Sequence, residues 1–173
     1  MIQPVDSLKP LRAGVLTISD SRGLAEDGSG DFLCKSLEEA GHVLADRQIV
    51  PDDIYRIRAV VSGWIADPQV QVVISTGGTG FTARDSTPEA VRPLFDQEVE
   101  GFGETFRHLS LAEIGSSTVQ SRALAGVANR TLIACLPGST GACRTAWTGI
   151  LREQLDSRHR PCNFAALVLL GEG

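Results

Sequence analysis

The sequence predicts an α/β fold: a doubly wound, mostly parallel sheet with one antiparallel strand and helices on both faces. Three observations lead there. Short β-branched runs alternate with segments of helical period along most of the 173 residues, the pattern of repeated strand–helix units. Glycine is enriched to 18 residues while aromatics make up only 5%, so the core is aliphatic and the loops are tight, as in a sheet covered on both sides. Many of those glycines fall directly after predicted strands.

Taken in order, residues 14–19 (GVLTIS) form a first buried strand, and 20–30 are a glycine-rich polar loop. Residues 31–40 form a helix with Phe32, Leu33, Leu37 and Ala40 on one face, Ser29 as its cap and Gly41 as its stop. Residues 43–50 are the second strand. Pro51-Asp52-Asp53 then opens a helix with the stripe Ile54, Ile57, Val61, Trp64 and Ile65, because proline and acids suit a helix start. Residues 70–75 (VQVVIS) are the strongest strand and run into Thr76-Gly77-Gly78-Thr79-Gly80. After a polar loop at 81–86, Thr87-Pro88-Glu89 starts another helix. Residues 101–114 are helical up to Gly115. Strands at 121–128 and 131–136 flank a turn at Asn129-Arg130 and supply the antiparallel strand. Pro137-Gly138-Ser139 follows, then a helix over 143–155 and an apolar tail. Residues 1–11 read as a flexible N-terminal arm and 12–173 as a single domain.

Composition excludes several classes. Net charge is −5, with no basic patch, so nucleic acid is not an expected partner. No apolar run reaches the roughly 20 residues that span a bilayer. Cys34, Cys135, Cys143 and Cys162 lack CxxC spacing, and the start of the chain lacks an apolar leader. The expectation is a cytoplasmic protein with reduced thiols.

In open α/β sheets ligands bind beyond the carboxyl ends of the strands. Loops 20–30, 51–53, 76–86 and 137–140 meet that rule. Thr76 to Gly80 is either a tight strand-to-loop turn or a nest of backbone N–H groups for an anion. It is neither a Walker loop nor a GxGxxG fingerprint. Asp85 is a surface acid or, beside a phosphate, a group that holds Mg²⁺ or orients a nucleophile. Asp52 and Asp53 are helix-start acids, or one of them is a second carboxylate at the rim. Together they suit metal-assisted phosphoryl or nucleotidyl transfer. Arg84 and Arg144 are candidate phosphate neutralisers. Cys135 and Cys143 have no base partner, which argues against thiol catalysis.

The segments TISDSR (17–22), VVISTGGTGFTARDSTPEA (72–90), EVEGFGETFR (98–107), QSRALAGVAN (120–129) and LPGSTGACRTAW (136–147) together resemble the MoaB/Mog family of molybdenum cofactor biosynthesis. The likeness covers about residues 12–164. It implies a three-layer α/β/α domain that assembles as trimers or as hexamers of two trimers, with other cofactor-biosynthesis proteins as possible partners. It implies a molybdopterin adenylyltransferase, which moves AMP from Mg-ATP onto the terminal phosphate of the pterin and releases pyrophosphate. By that resemblance Thr76, Gly77, Gly78, Thr79 and Gly80 cradle the pterin phosphate. Asp52 and Asp85 are the functional carboxylates, for Mg²⁺ and for substrate positioning. Ser19, Asp20, Ser29, Glu100, Gly138 and Ser139 line the pocket. Some family members lack the acid after the second strand. This chain keeps it, and the alternative is a non-catalytic molybdopterin-binding scaffold.

Overall fold

The computed structural model describes residues 5–170. Residues 1–4 of the expected arm and 171–173 of the expected domain lie outside that range. The sheet has six strands among the described residues, in the order β2-β1-β3-β6-β5-β4: β1 Arg12–Ile18, β2 Val43–Val50, β3 Val72–Thr76, β4 Gln97–Glu98, β5 Leu124–Ala128 and β6 Thr131–Leu136. Strands β1, β2, β3 and β6 pair in parallel. Only β5 runs against the others, since it is antiparallel to both β6 and β4. The expected single antiparallel strand is therefore present. The two-residue edge strand β4 was not foreseen, being too short to carry a period.

The period-2 alternation of each strand sorts side chains onto two faces. Val15, Val72, Ile74, Leu132, Ala134 and Leu136 face α1 (Gly28–Glu39), α4 (Glu100–Ile114) and α5 (Thr140–Ala146), which bring Leu33, Leu37, Phe102, Phe106, Cys143 and Ala146. Leu16, Ile18, Val73, Ile133 and Cys135 face α2 (Ile54–Ala66) and the short α3 (Thr87–Val91), which bring Ile57, Val61, Trp64, Ala90 and Val91. The result is three layers, α/β/α. Helix α2 lies close to the sheet: a Cβ on Gly14 would stand 2.9 Å from the Trp64 ring, so glycine there sets the helix–sheet distance.

Several boundaries differ from expectation for local reasons. Helix α1 begins at Gly28, and its cap is Asp27, whose carboxylate accepts from Gly30 N at 3.0 Å. Ser29 lies inside the helix and is buried. Strand β5 begins at Leu124 because a 3-10 segment, Gly115–Gln120, follows α4. Helix α5 begins three residues early, where Ser139 Oγ accepts from Ala142 N at 3.1 Å. It then passes through a π turn, Trp147–Leu151, into α6 (Arg152–Gln154). The tail forms α7 (Phe164–Val168), capped by Asn163. Near the other end, Val5 N donates to Ser157 O and Lys9 N to Ser157 Oγ.

Ile133 is fully buried at the centre of the sheet. Ile133→Ala is expected to lower the unfolding free energy by about 2–5 kcal/mol and Ile133→Val by about 0.5–1.5, as read from urea melts with unchanged m-values.

Candidate functional site

The chain crosses from β1 to β2 on one side and returns over β1 to β3 on the other. This reversal opens a crevice beyond the carboxyl ends of β1, β3 and β6. A cleft of about 610 Å³ lies there, lined by Ser19 and Asp20 after β1, Asp52 after β2, Gly77 to Asp85 in part after β3, and Pro137 to Ser139 after β6. All four loops that the strand-end rule selected reach it.

The Gly77–Gly78 turn is fixed by sterics. Both residues have positive φ, 108° and 67°. A Cβ on Gly77 would stand 2.2 Å from Ile18 O, and one on Gly78 would stand 2.3 Å from Thr87 Oγ1 and 2.6 Å from Asp52 Oδ2. Only glycine meets both demands. Thr87 then locks the turn from the start of α3: its Oγ1 donates to Gly77 O at 2.9 Å and its N to Gly78 O at 3.0 Å. The N–H groups of Gly78 and Thr79 have no acceptor among the described residues, the arrangement an anion nest requires.

The acids divide their work. Asp53 caps α2, accepting from Tyr55 N and Arg56 N at 3.0 and 2.9 Å. Asp52 turns the other way and is almost wholly buried. Its Oδ1 accepts from Ser86 N at 3.0 Å and from Ser86 Oγ, while Oδ2 has no partner among the described residues. Asp85 Oδ2 accepts from Thr82 N at 2.8 Å and Thr82 Oγ1 at 2.6 Å. Partial burial pushes the Asp85 carboxyl up, but the bonds from Thr82 and from Gly80 N–H, with Arg122 nearby, outweigh it and hold it below the usual carboxylate range. At the mouth, Asp20 pairs with Arg84 through two bonds of 3.0 and 2.7 Å. Those bonds, and a third from Asp52 N, lower its pKa.

Cations are few. Of Arg22 and Arg84, the two that line the cleft, Arg84 is matched by Asp20. Arg22 reaches across to Gly138 O at 3.1 Å and has no carboxylate partner among the described residues. It was not singled out from the sequence. Arg144 lies elsewhere, over the Phe32 ring at 5.1 Å.

Three expected lining residues do not reach the cleft. Thr76 is the last residue of β3 and is buried, donating to Pro137 O at 2.9 Å and accepting from Cys143 Sγ at 3.3 Å. Ser29 is buried beneath the first loop. Glu100 lines a separate polar groove with Arg92, Glu98, Glu104 and Arg107. The far wall was missed altogether: Phe106, Ser110, Glu113 and Ile114 on α4, with Ser117, Gln120 and Ser121 after it. The helix was legible, but which of its faces meets the cleft depends on how it docks.

The first loop rests on a buried charge. Asp27 is fully buried and accepts from Thr17 Oγ1 at 2.7 Å and Arg47 Nη2 at 2.8 Å as well as from Gly30 N. Burial raises its pKa, yet the bonds from Arg47, Thr17 and Gly30 prevail and the net shift is downward. Burial likewise pushes the Cys143 thiol up to about 11 and Cys135 to about 12.

Residues 14–157 match the family model described as a probable molybdopterin binding domain. The chain belongs to this family. It is 61% identical over 155 residues to molybdenum cofactor biosynthesis protein B of Escherichia coli K12, covering 90% of this chain and 91% of that one. It is 43% identical to the protein of the same name from Bacillus cereus, over 85% and 88% of the two chains. Among solved structures, one of a molybdenum cofactor biosynthesis protein B superposes with TM-score 0.84 at 42% identity, covering 87% of this chain and 94% of that one. The tungsten cofactor synthesizing protein MoaB of Pyrococcus furiosus superposes with TM-score 0.76 at 37% identity, over 83% and 92%. The resemblance to the MoaB/Mog family and its three-layer fold is thus borne out. No helix among the described residues is long and apolar enough to cross a membrane.

A carboxyl whose pKa is depressed by folding contributes stability above its unfolded pKa, about 3.9 for Asp, and loses it as pH falls through the folded value. Asp27→Asn is therefore expected to cost on the order of 2–3 kcal/mol at pH 7, where charged hydrogen bonds are lost. Between about pH 5 and pH 3 the variant's stability should fall less steeply than that of the wild type, measured by urea denaturation at each pH.

Proposed function

We propose that this family member acts in molybdenum cofactor biosynthesis, binding molybdopterin in the strand-end cleft and adenylylating it with Mg-ATP. The observation that carries the reading is the meeting of Asp52 and Asp85 in one cleft with the Gly78–Thr79 nest. The names of the relatives, molybdenum and tungsten cofactor proteins, support the pathway and the pterin.

The donor set suits magnesium. No cluster of three or more His, Cys, Asp or Glu able to hold a metal exists among the described residues. Mg²⁺ seldom needs one, because it binds one or two carboxylates together with substrate phosphates and water. Asp52 through its open Oδ2, and Asp85, would hold it. When bound, it offsets phosphate charge and so stabilises the transferring group.

The chain's own residues do the rest. Four carboxylates line the cleft, Asp20, Asp52, Asp85 and Glu113, against two guanidiniums. A free polyanion is repelled there, whereas a nucleotide entering with its cation is not. The N–H groups of Gly78 and Thr79 would bind the acceptor phosphate without needing to reorient, which is the source of electrostatic preorganisation. Arg22 adds a guanidinium that has no carboxylate partner among the described residues. No acid–base triad lines the cleft among the described residues, so positioning and charge neutralisation carry the rate.

A non-catalytic binding role is the second reading, favoured by one feature: Asp52 and Asp85 also brace the 76–86 loop through Ser86 and Thr82. Asparagine can keep those braces while removing the charge, so it separates the two. With Mg-ATP and molybdopterin, the wild type is expected to form adenylylated pterin with release of pyrophosphate. Asp52→Asn and Asp85→Asn should each lower turnover by about 10²–10³, with pterin affinity unchanged within about twofold. Pterin binding by the wild type without ATP consumption would leave the scaffold reading standing.

A further inference from the structure

Arg122 lies just before β5, in the segment 120–129, and meets the Asp85 loop from behind the cleft. Its Nε donates to Gly80 O at 2.7 Å and its Nη2 to Asp85 O at 2.8 Å. Its Nη1 pairs with the Glu89 carboxylate, and the guanidinium lies over the Phe81 ring at 5.1 Å. Its own backbone N donates to Thr79 O at 3.0 Å. The side chain is only 20% exposed. It does not line the cleft but the neighbouring polar groove, so it has no direct route to a ligand held by Asp52 and Asp85.

The peptide planes give this clamp its meaning. A peptide unit is rigid, so fixing its carbonyl also fixes its N–H. The carbonyl of Asp85 and the N–H of Ser86 share one plane. Arg122 holds the carbonyl end, and Asp52 Oδ1 accepts from the N–H end at 3.0 Å. The carbonyl of Thr79 and the N–H of Gly80 share another. Arg122 N holds the first, and the second adjoins the Asp85 carboxylate and helps to hold its pKa down. Arg122 thus holds three peptide planes, Thr79–Gly80 through its backbone N, Gly80–Phe81 through Nε and Asp85–Ser86 through Nη2, and the first and last of these run to the two cleft carboxylates. Residues 77–86 contain no helix or strand of their own. Each backbone residue left free there would hold about 1–2 kcal/mol of conformational entropy.

We propose that the side chain of Arg122 is a positioning group that sets the relative placement of Asp52 and Asp85 by fixing the Gly80–Phe81 and Asp85–Ser86 peptides. The proposal rests on the reading of those acids as the functional pair. It requires the planar fork of arginine, with donors on both Nε and Nη2. Lysine keeps the charge but cannot bridge two carbonyls in that geometry.

The test uses Arg122→Lys and Arg122→Gln in the full chain. Amide hydrogen exchange at Gly80 and Ser86 is expected to quicken about tenfold or more in both, as local opening becomes easier. Turnover with Mg-ATP should fall about ten- to a hundredfold, while molybdopterin affinity stays within about twofold. Adding Arg122→Gln to Asp85→Asn should cost far less than it does alone, because groups acting through each other are not additive. Wild-type exchange and turnover in Arg122→Lys would overturn the proposal, as charge alone would then suffice. Full additivity with Asp85→Asn would overturn it too. If Arg122→Gln does not fold, Glu89→Gln releases one anchor of the guanidinium, and unchanged exchange at the same amides in that variant would count against the clamp. A wild type that binds pterin without consuming ATP defeats the adenylylation reading, yet exchange at Gly80 and Ser86 still decides whether Arg122 places the loop.

Discussion

The two hydrogen bonds from Thr87 to the carbonyls of Gly77 and Gly78 are the contact on which the rest of the site depends. They close a turn that only glycine can make, and they do so from the first residue of α3. Because that turn presses on Ile18 O, its position is inherited from the parallel pairing of β1 with β3. The sheet, the turn and the helix start are thus one mechanical unit. Where the N–H groups of Gly78 and Thr79 stand follows from where the strands end.

Charge is arranged with the same economy. Adjacent acids take different roles because their backbones differ: Asp53 is extended and caps α2, while Asp52 faces inward toward Ser86. Beneath the first loop, Asp27 is buried at the cost of desolvation and is kept ionised by Arg47, Thr17 and Gly30. A buried carboxylate with this many donors resists movement, since any displacement strands its charge. Loop 20–30 is therefore anchored at its end even though most of it is exposed.

The layered fold was legible because its signals are local and repeated. Strand period, helix stripe and strand-end glycines each report on a few neighbouring residues, and β2 was read to the residue. Signals that depend on docking were not legible. Ser29 looked like a cap because it is a hydroxyl before a helix, but Asp27, two residues earlier, caps it instead by accepting from Gly30 N with a charged acceptor. Thr76 looked like the first loop residue because it precedes two glycines, yet its pairing with Leu136 keeps it in the sheet. Glu100 shares a motif with the site residues but faces another groove. The α4 wall and Arg122 owe their places to packing between segments more than 30 residues apart, which no local pattern reports. Phe106, Gln120, Ser121 and Arg122 had a signal, their place in recognised segments, without any hint of what they touch.

The cysteines carry a last consequence. Cys143 sits under the floor of the cleft against Thr76, with its thiol raised to about 11. At neutral pH the thiolate, which is the reactive form, is therefore disfavoured there. Cys34 and Cys135 are buried with raised values as well. These sulfurs act as small polarisable packing groups. Cys162 is exposed and lies outside the cleft. Oxidants and alkylating agents are therefore steered to the tail of the chain, and a probe attached at Cys162 would leave the floor of the cleft chemically untouched.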